Sequence, residues 1–323
     1  MIPPIASELL PEIVQAQRRI RPHLAPTLLR SSPYYGERNN ATVYFKCDNL
    51  QPTGSFKVRG ALNRLLSLEA GERGKGVVAA STGNHGAAVA YCAGKLGVDC
   101  TVFVPENASK TKIAAMERLG AEVQQHGQDP VESELFARRF AGEQGMAYIS
   151  PYNDRAIIAG QGTLGAELAE QLENIDSVFI ALGGGGLTSG VAACLKALRP
   201  GVRIVACSPE NSAVMMHSVQ AGEILDLPSL PTLSDGTAGG VEKEAITFDY
   251  CRQLVDDYVT VTEAEIAASL RQFMEVHHMM IEGAAAVPIA AYLKLGADYH
   301  GQNVVIVLCG ANIDLGTLRA VLA

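Results

Sequence analysis

The stretch 51-QPTGSFKVRGA-61 sets a lysine, Lys57, between two glycines, directly after Ser55 and Phe56 and at the onset of a helical pattern. A lone lysine is ordinarily a solvated surface charge. Three further segments, each following an apolar run, suggest another use for it. The run 183-GGGGL-187 follows SVFIAL. Glycines there let backbone N–H groups converge on one point, and the helix that follows adds partial positive charge, which together make a phosphate cradle. It is neither G-x-G-x-x-G nor a P-loop. One glycine would serve a tight turn; four favour an anion site. The run 81-STGNHGAA-88 follows VVAAS and gathers hydroxyl, amide and imidazole groups at a helix start suited to a carboxylate. Read alone, Ser81 is equally an N-cap and His85 a structural histidine. The run 309-CGANID-314 closes NVVIVL, at the strand end where open α/β sheets bind ligands. Read alone, it is a plain turn with a core cysteine.

Taken together, the segments give the lysine a chemistry. An amine beside a phosphate cradle and several strand-end loops can form an imine with an aldehyde cofactor that carries a phosphate.

The elements that must position these groups alternate. Strands are predicted at 42–46, 77–81, 100–104, 177–182, 203–208 and 303–308, mostly as continuous apolar runs suited to parallel strands buried on both faces. Helices are predicted at about 58–69, 85–96, 109–119, 131–143, 155–173, 187–199, 263–280 and 284–295. Ser109 suits an N-cap, Thr262 with Glu265 forms a capping box, and Gly97 and Gly120 suit helix ends. The alternation predicts an α/β protein with two open, mainly parallel sheets. Strands near 78, 101, 122 and 148 are expected to form a smaller domain over 76–151, with 1–75 and 152–323 forming the larger one. The segment 221–241 reads as a long loop, and 284-AAAVPIAAYL-293 as core or interface.

Composition narrows the function classes. The 323 residues carry a net charge of −8 with no Lys/Arg block, which argues against nucleic acid or an anionic membrane as partner. The seven scattered cysteines contain no C-x-x-C pair, so a reduced, cytoplasmic protein is expected in place of a disulfide framework or zinc site. The N-terminal stretch lacks the features of a signal peptide. The uncharged run 177–195 is interrupted by glycines and reads as strand, loop and helix, not as a membrane span.

The segments 53-TGSFKVRGA-61, 81-STGNHG-86, 153-NDRAIIAGQGT-163, 183-GGGGL-187 and 309-CGAN-312 occur in the order found in the fold-type II pyridoxal-phosphate enzymes, and the chain resembles their threonine/serine dehydratase and serine racemase group. The resemblance implies the tryptophan synthase β-like fold, with a smaller mobile domain that closes over the substrate. It implies pyridoxal 5'-phosphate as cofactor, Lys57 as Schiff-base lysine and proton-transfer base, and Phe56 against the cofactor ring. It places Asn84 on the 3′-oxygen, Gly183, Gly184, Gly185, Gly186 and Leu187 on the phosphate, and Cys309 facing the pyridine nitrogen. Ser81, Thr82, Gly83 and His85 would surround the substrate carboxylate. A thiol at Cys309, unlike a carboxylate, need not keep the ring nitrogen protonated, which suits β-elimination. A homodimer is the family expectation.

The chain departs from this pattern in places. Thr82 stands where racemases place a serine opposite the lysine, which favours dehydration over racemisation. Ser208 and Val214 stand where several relatives place cation-binding acids, and Glu210 alone makes a poor divalent site, so no such metal is expected. The segments 208–222 and 234–242 resemble catabolic dehydratases, including the hydroxyectoine-utilisation type. The expected activity is conversion of a β-hydroxy L-amino acid, L-threonine or L-serine first, to a 2-oxo acid and ammonia. The alternatives are an amino acid racemase, a β-replacement enzyme, and a non-catalytic cofactor- or amino-acid-binding protein.

Overall fold

The computed structural model describes residues 2–323, so the first residue of the 1–75 span lies outside it. Its strands are β1 (Leu29–Ser31), β2 (Thr42–Cys47), β3 (Val77–Ala80), β4 (Cys100–Val104), β5 (Glu122–Gln125), β6 (Ala147–Tyr148), β7 (Ser177–Ala181), β8 (Arg203–Pro209), β9 (Asp257–Val261) and β10 (Asn303–Leu308). They form a six-stranded sheet in the order β1-β2-β10-β7-β8-β9 and a four-stranded sheet in the order β5-β4-β3-β6. Every pairing is parallel except β1 with β2. The strands expected near 78, 101, 122 and 148 are the four of the smaller sheet.

The central strands are apolar along their length because helices cover both faces. In β10, Val304 to Leu308 are all buried, and β10 lies between β2 and β7. The helix Gly283–Leu295 is buried from Gly283 to Tyr292 within the larger core, so the alanine-rich run is core. The run 177–195 divides into β7, a glycine loop and the helix Gly186–Leu198. No helix among the described residues is long and apolar enough to cross a membrane. All seven cysteines are buried free thiols.

Several helix ends follow from local chemistry. Gly97 closes Asn84–Leu96 at φ +64°, a conformation glycine adopts without a Cβ penalty. Thr262 and Glu265 form the reciprocal capping box of Glu263–His277. That helix stops earlier than 280 because His278 turns left-handed at φ 52°. Ser109 does occupy the N-cap position of Lys110–Arg118, but its hydroxyl makes no capping hydrogen bond.

Four helices of eight or more residues had no counterpart in the sequence reading: Pro4–Ile20, Val214–Ala221, Thr247–Leu254 and Leu315–Leu322. The first contains Pro11, which reads as a breaker, yet Ala6, Leu9, Ile13, Ala16 and Ile20 form a buried stripe at helical spacing. Strands β1 and β9, at the two edges of the larger sheet, were likewise missed. Both are half-exposed and lack a continuous apolar run.

Candidate active site

Lys57 is the first residue of the helix Lys57–Ser67. The chain before it is docked onto the end of β10. Ser55 bridges Gly310, the Phe56 N–H donates to the Cys309 carbonyl at 3.0 Å, and the Ala311 N–H donates to the Gly54 carbonyl at 2.8 Å. This docking brings Phe56, Lys57 and Cys309 together. The Lys57 ammonium lies 5.3 Å from the centre of the Phe56 ring and donates to the Pro151 carbonyl at 2.8 Å. Burial of the amine pulls its pKa down to about 8, against the opposing pull of Cys309 and Glu282. Burial pushes the Cys309 thiol well above its ordinary value.

Asn84 opens the helix Asn84–Leu96 at the end of β3. Its side-chain N–H groups go to both oxygens of Glu282, at 2.9 and 3.0 Å, and its oxygen accepts from the Asn312 amide at 2.6 Å. The Asn312 N–H donates to Glu282 at 3.0 Å, and its side chain donates to the Thr53 carbonyl at 2.8 Å. Two of the segments singled out in the sequence thus meet at one carboxylate, and a third joins them through Thr53. Glu282 is 2% exposed, and burial raises its pKa to about 7.

The glycine loop joins β7 to the helix Gly186–Leu198, with Gly185 at φ +87°. Its walls leave no room for side chains. A Cβ on Gly183 would lie 2.8 Å from the Thr237 carbonyl oxygen, and one on Gly184 would lie 2.5 Å from the Tyr152 ring. The Tyr152 hydroxyl accepts from the Glu242 N–H at 2.9 Å, and the Thr247 hydroxyl donates to the Gly184 carbonyl at 2.7 Å. Among the described residues, the N–H groups of Gly183, Gly184 and Gly185 meet no acceptor, although Gly185 is buried. Leu187 is 5% exposed and packs into the larger core.

The loop at 81–84 is the more open wall. Ser81 and Thr82 are half-buried and Gly83 is exposed, with the Gly83 N–H donating to the Ser81 hydroxyl at 3.1 Å. His85 turns inward. Its Nε2 donates to the Ile149 carbonyl at 2.8 Å, and burial beside Lys57 lowers its pKa to about 3, so the ring is neutral. Its imidazole is therefore committed to the backbone and not to the open side of the loop.

One short segment touches the lysine, the glycine loop and the 81–85 loop. Residues 149–153 carry the chain from β6 back toward the larger sheet. Ile149 holds His85, Pro151 holds Lys57, Tyr152 lines the glycine loop, and Asn153 donates to Glu242 at 2.8 Å. Arg138, on the helix Pro130–Gln144 over the smaller sheet, pairs with Glu242 at 2.9 Å. A cavity of about 360 Å³ lined by Asp235, Glu263, Gly283 and Asp314 borders the same cluster; Asp314 ends the 309–314 segment, but none of the residues assigned to cofactor or substrate lines it. In the segment 207–215, the Ser208 hydroxyl donates to the Leu182 carbonyl and Val214 begins a helix.

The residues present fit a phosphorylated aldehyde cofactor. The unpaired N–H groups of the glycine loop, at a helix N-terminus, are donors that a phosphate would satisfy. The Lys57 amine has only a carbonyl for a partner and a depressed pKa, which favours the neutral nucleophile. Sequence reasoning missed Glu282, Tyr152 and Pro151. Glu282 had a readable signal, a carboxylate directly before the uncharged run 283–293, where it could not be solvated. Tyr152 and Pro151 had none, because their contacts depend on how the chain crosses between the sheets.

Residues 20–310 match the sequence model of the family described as pyridoxal-phosphate dependent enzyme. The catabolic L-threonine dehydratase TdcB of Escherichia coli is 37% identical over 96% of this chain and 94% of its own. The serine racemase of Arabidopsis thaliana is 36% identical over 97% of this chain and 95% of its own. The solved structure of the processed threonine deaminase isoform 2 of Solanum lycopersicum superposes with a TM-score of 0.92 at 32% identity, covering 98% of this chain and 92% of that one.

Proposed function

The chain belongs to the pyridoxal-phosphate dependent enzyme family, and we propose that it acts as a dehydratase, converting a β-hydroxy L-amino acid, L-threonine or L-serine first, to a 2-oxo acid and ammonia. The observation that carries this reading is the half-buried Lys57 amine, held by the Pro151 carbonyl directly before Tyr152, the aromatic wall of the glycine loop. Relatives over nearly the whole chain that carry threonine dehydratase or L-threonine ammonia-lyase names support it.

When bound, pyridoxal phosphate supplies an electron sink for charge that develops at the substrate Cα. The chain supplies the rest. The loop N–H groups of Gly183 to Gly186 would hold the phosphate, and Phe56 and Cys309 would flank the ring. Asn84 would face the phenolic oxygen. The backbone and hydroxyls of Ser81, Thr82 and Gly83 would hold the substrate carboxylate, with neutral His85 bracing the loop from behind. Lys57, as a free amine near pH 8, would take the Cα proton. The proton taken from Cα would go to the departing β-hydroxyl, which leaves as water, and the released enamine would take up a water and hydrolyse to the 2-oxo acid and ammonia.

Residues 76–151, which contain the smaller sheet, would move as a unit over the substrate, with the 149–153 segment as one of the two connections. The protein would work in the cytoplasm as a homodimer.

The test is 2-oxo acid release from a panel of L- and D-β-hydroxy amino acids by wild type and Lys57→Ala. Release from L-threonine or L-serine, lost in the variant, is expected. Inversion of the unreacted amino acid without release would overturn the reading in favour of a racemase. Neither reaction from a cofactor-loaded protein would leave a binding protein.

A further inference from the structure

Glu282 sits between the helix Glu263–His277 and the helix Gly283–Leu295, and its side chain is buried with neutral hydrogen-bond partners only: the Asn84 amide and the Asn312 N–H. A buried carboxylate without a direct cation is retained at a cost in stability, which calls for a use. The room for it is built in. A Cβ on Gly310 would collide with its carboxylate, and one on Gly236 would lie 3.3 Å from Oε1.

The hydrogen bonds around it branch at Asn312. The Asn312 side chain donates to the Thr53 carbonyl and to the Asn84 oxygen, and Asn84 donates in turn to both oxygens of Glu282. Because Glu282 accepts twice, the Asn84 amide has one permitted orientation. The charged and titratable groups that act on Glu282 are Asp235 from the turn Asp235–Thr237 and Lys57 from its helix, and Cys309 at the end of β10 responds to it in turn.

We propose that Glu282 is a positioning residue for the chemistry of Lys57: it fixes the Asn84 amide by two hydrogen bonds and sets a carboxylate against Gly310, next to the Cys309 carbonyl that accepts from the Phe56 N–H directly before Lys57. The inference rests on reading Lys57 as the cofactor-anchoring residue. Burial favours the neutral amine, and the carboxylate offsets part of that effect. Glu282 thus tunes how much of Lys57 is protonated near neutral pH.

The experiment reads Lys57 directly. The full chain is freed of cofactor, and acylation of Lys57 is followed by peptide mass spectrometry across pH. In wild type the labelling midpoint is expected near 8. In Glu282→Gln it should fall by about half a unit to one unit, while Glu282→Asp stays close to wild type. Should Glu282→Gln fail to fold, Asn84→Ala replaces it. Loss of the Asn84 donors, with the Asn312 N–H left in place, disfavours the Glu282 anion and lowers the midpoint in the same sense. Coincident midpoints in wild type and the folded variant would overturn the proposal, as would a Glu282→Asp midpoint displaced as far as that of Glu282→Gln. Cofactor uptake by wild type is measured first. Its absence would sink the reading of Lys57 itself, whereas uptake with an unmoved midpoint would sink only the role of Glu282.

Discussion

The amine of Lys57 and the carbonyl oxygen of Pro151 are 2.8 Å apart. That bond ties the first turn of the Lys57 helix to the segment through which the chain leaves the smaller sheet. Displacement of the smaller sheet therefore reaches the reactive amine through one peptide unit. The bond holds the Lys57 amine against the connecting segment.

Replacing Lys57 by alanine should lower 2-oxo acid release by roughly 10²–10⁴-fold, the range for loss of a positioned proton-transfer group. Circular dichroism should show an intact fold. A variant that retains a tenth or more of wild-type turnover would remove Lys57 from the reaction.

Lys57→Met should stabilise the cofactor-free protein at neutral pH. The folded amine titrates near 8, below the ordinary 10.5, so between these values the unfolded chain binds more protons than the native one and stability rises with pH. At pH 7 the full penalty of burying the charge is present. The side chain keeps some exposure, which reduces that penalty to about 2 kcal/mol. Thermal melts of both proteins should differ most at pH 7 and converge above about pH 10. A difference independent of pH would contradict the assignment.

Gly184→Ala should weaken cofactor binding at least about tenfold and destabilise the fold by about 1–3 kcal/mol, because the added methyl meets the Tyr152 ring. Fluorescence titration with pyridoxal phosphate and a urea melt check the two parts separately. Shrinking the wall with Tyr152→Ala in the same chain should recover part of the affinity.

Arg59→Met should cost about 3–5 kcal/mol. The guanidinium pairs with Asp48 and Glu167 at 2.6 Å in each case, with Lys46 close to the same Glu167, all in the buried junction between the Lys57 helix and the helix Arg155–Gln171. Arg59 and Lys46 hold the Asp48 carboxyl below its ordinary range, so the stability it contributes is present above about pH 4 and is lost as pH falls. The gap between wild type and variant in urea melts should narrow in acid. A constant gap down to pH 3 would mean the ion pairs are not the source of the loss.

The sequence carried the larger features where one local rule governed them. β10 and β7 were legible because strands buried on both faces are unbroken apolar runs. Lys57, the glycine loop and Asn84 were legible because glycine, amide and amine types cluster at element boundaries. What stayed hidden depended on tertiary placement. The Pro4–Ile20 helix lies behind an internal proline, tolerated because its stripe of small and branched residues packs on the core. His85 was expected to face substrate with its neighbours, but its ring turns to Ile149, a contact set by the pairing of β3 with β6. Tyr152 gave no signal at all, since only the return of the chain beneath the glycine loop gives it a partner.

The seven buried thiols are spread unevenly between the two sheets. Cys92 and Cys100 belong to the smaller core, while Cys47, Cys194, Cys207, Cys251 and Cys309 belong to the larger body. Each stays silent to an alkylating reagent until its own layer opens, so the chain carries seven internal clocks. Timed alkylation under native conditions would rank the layers by how often they breathe, without a single substitution.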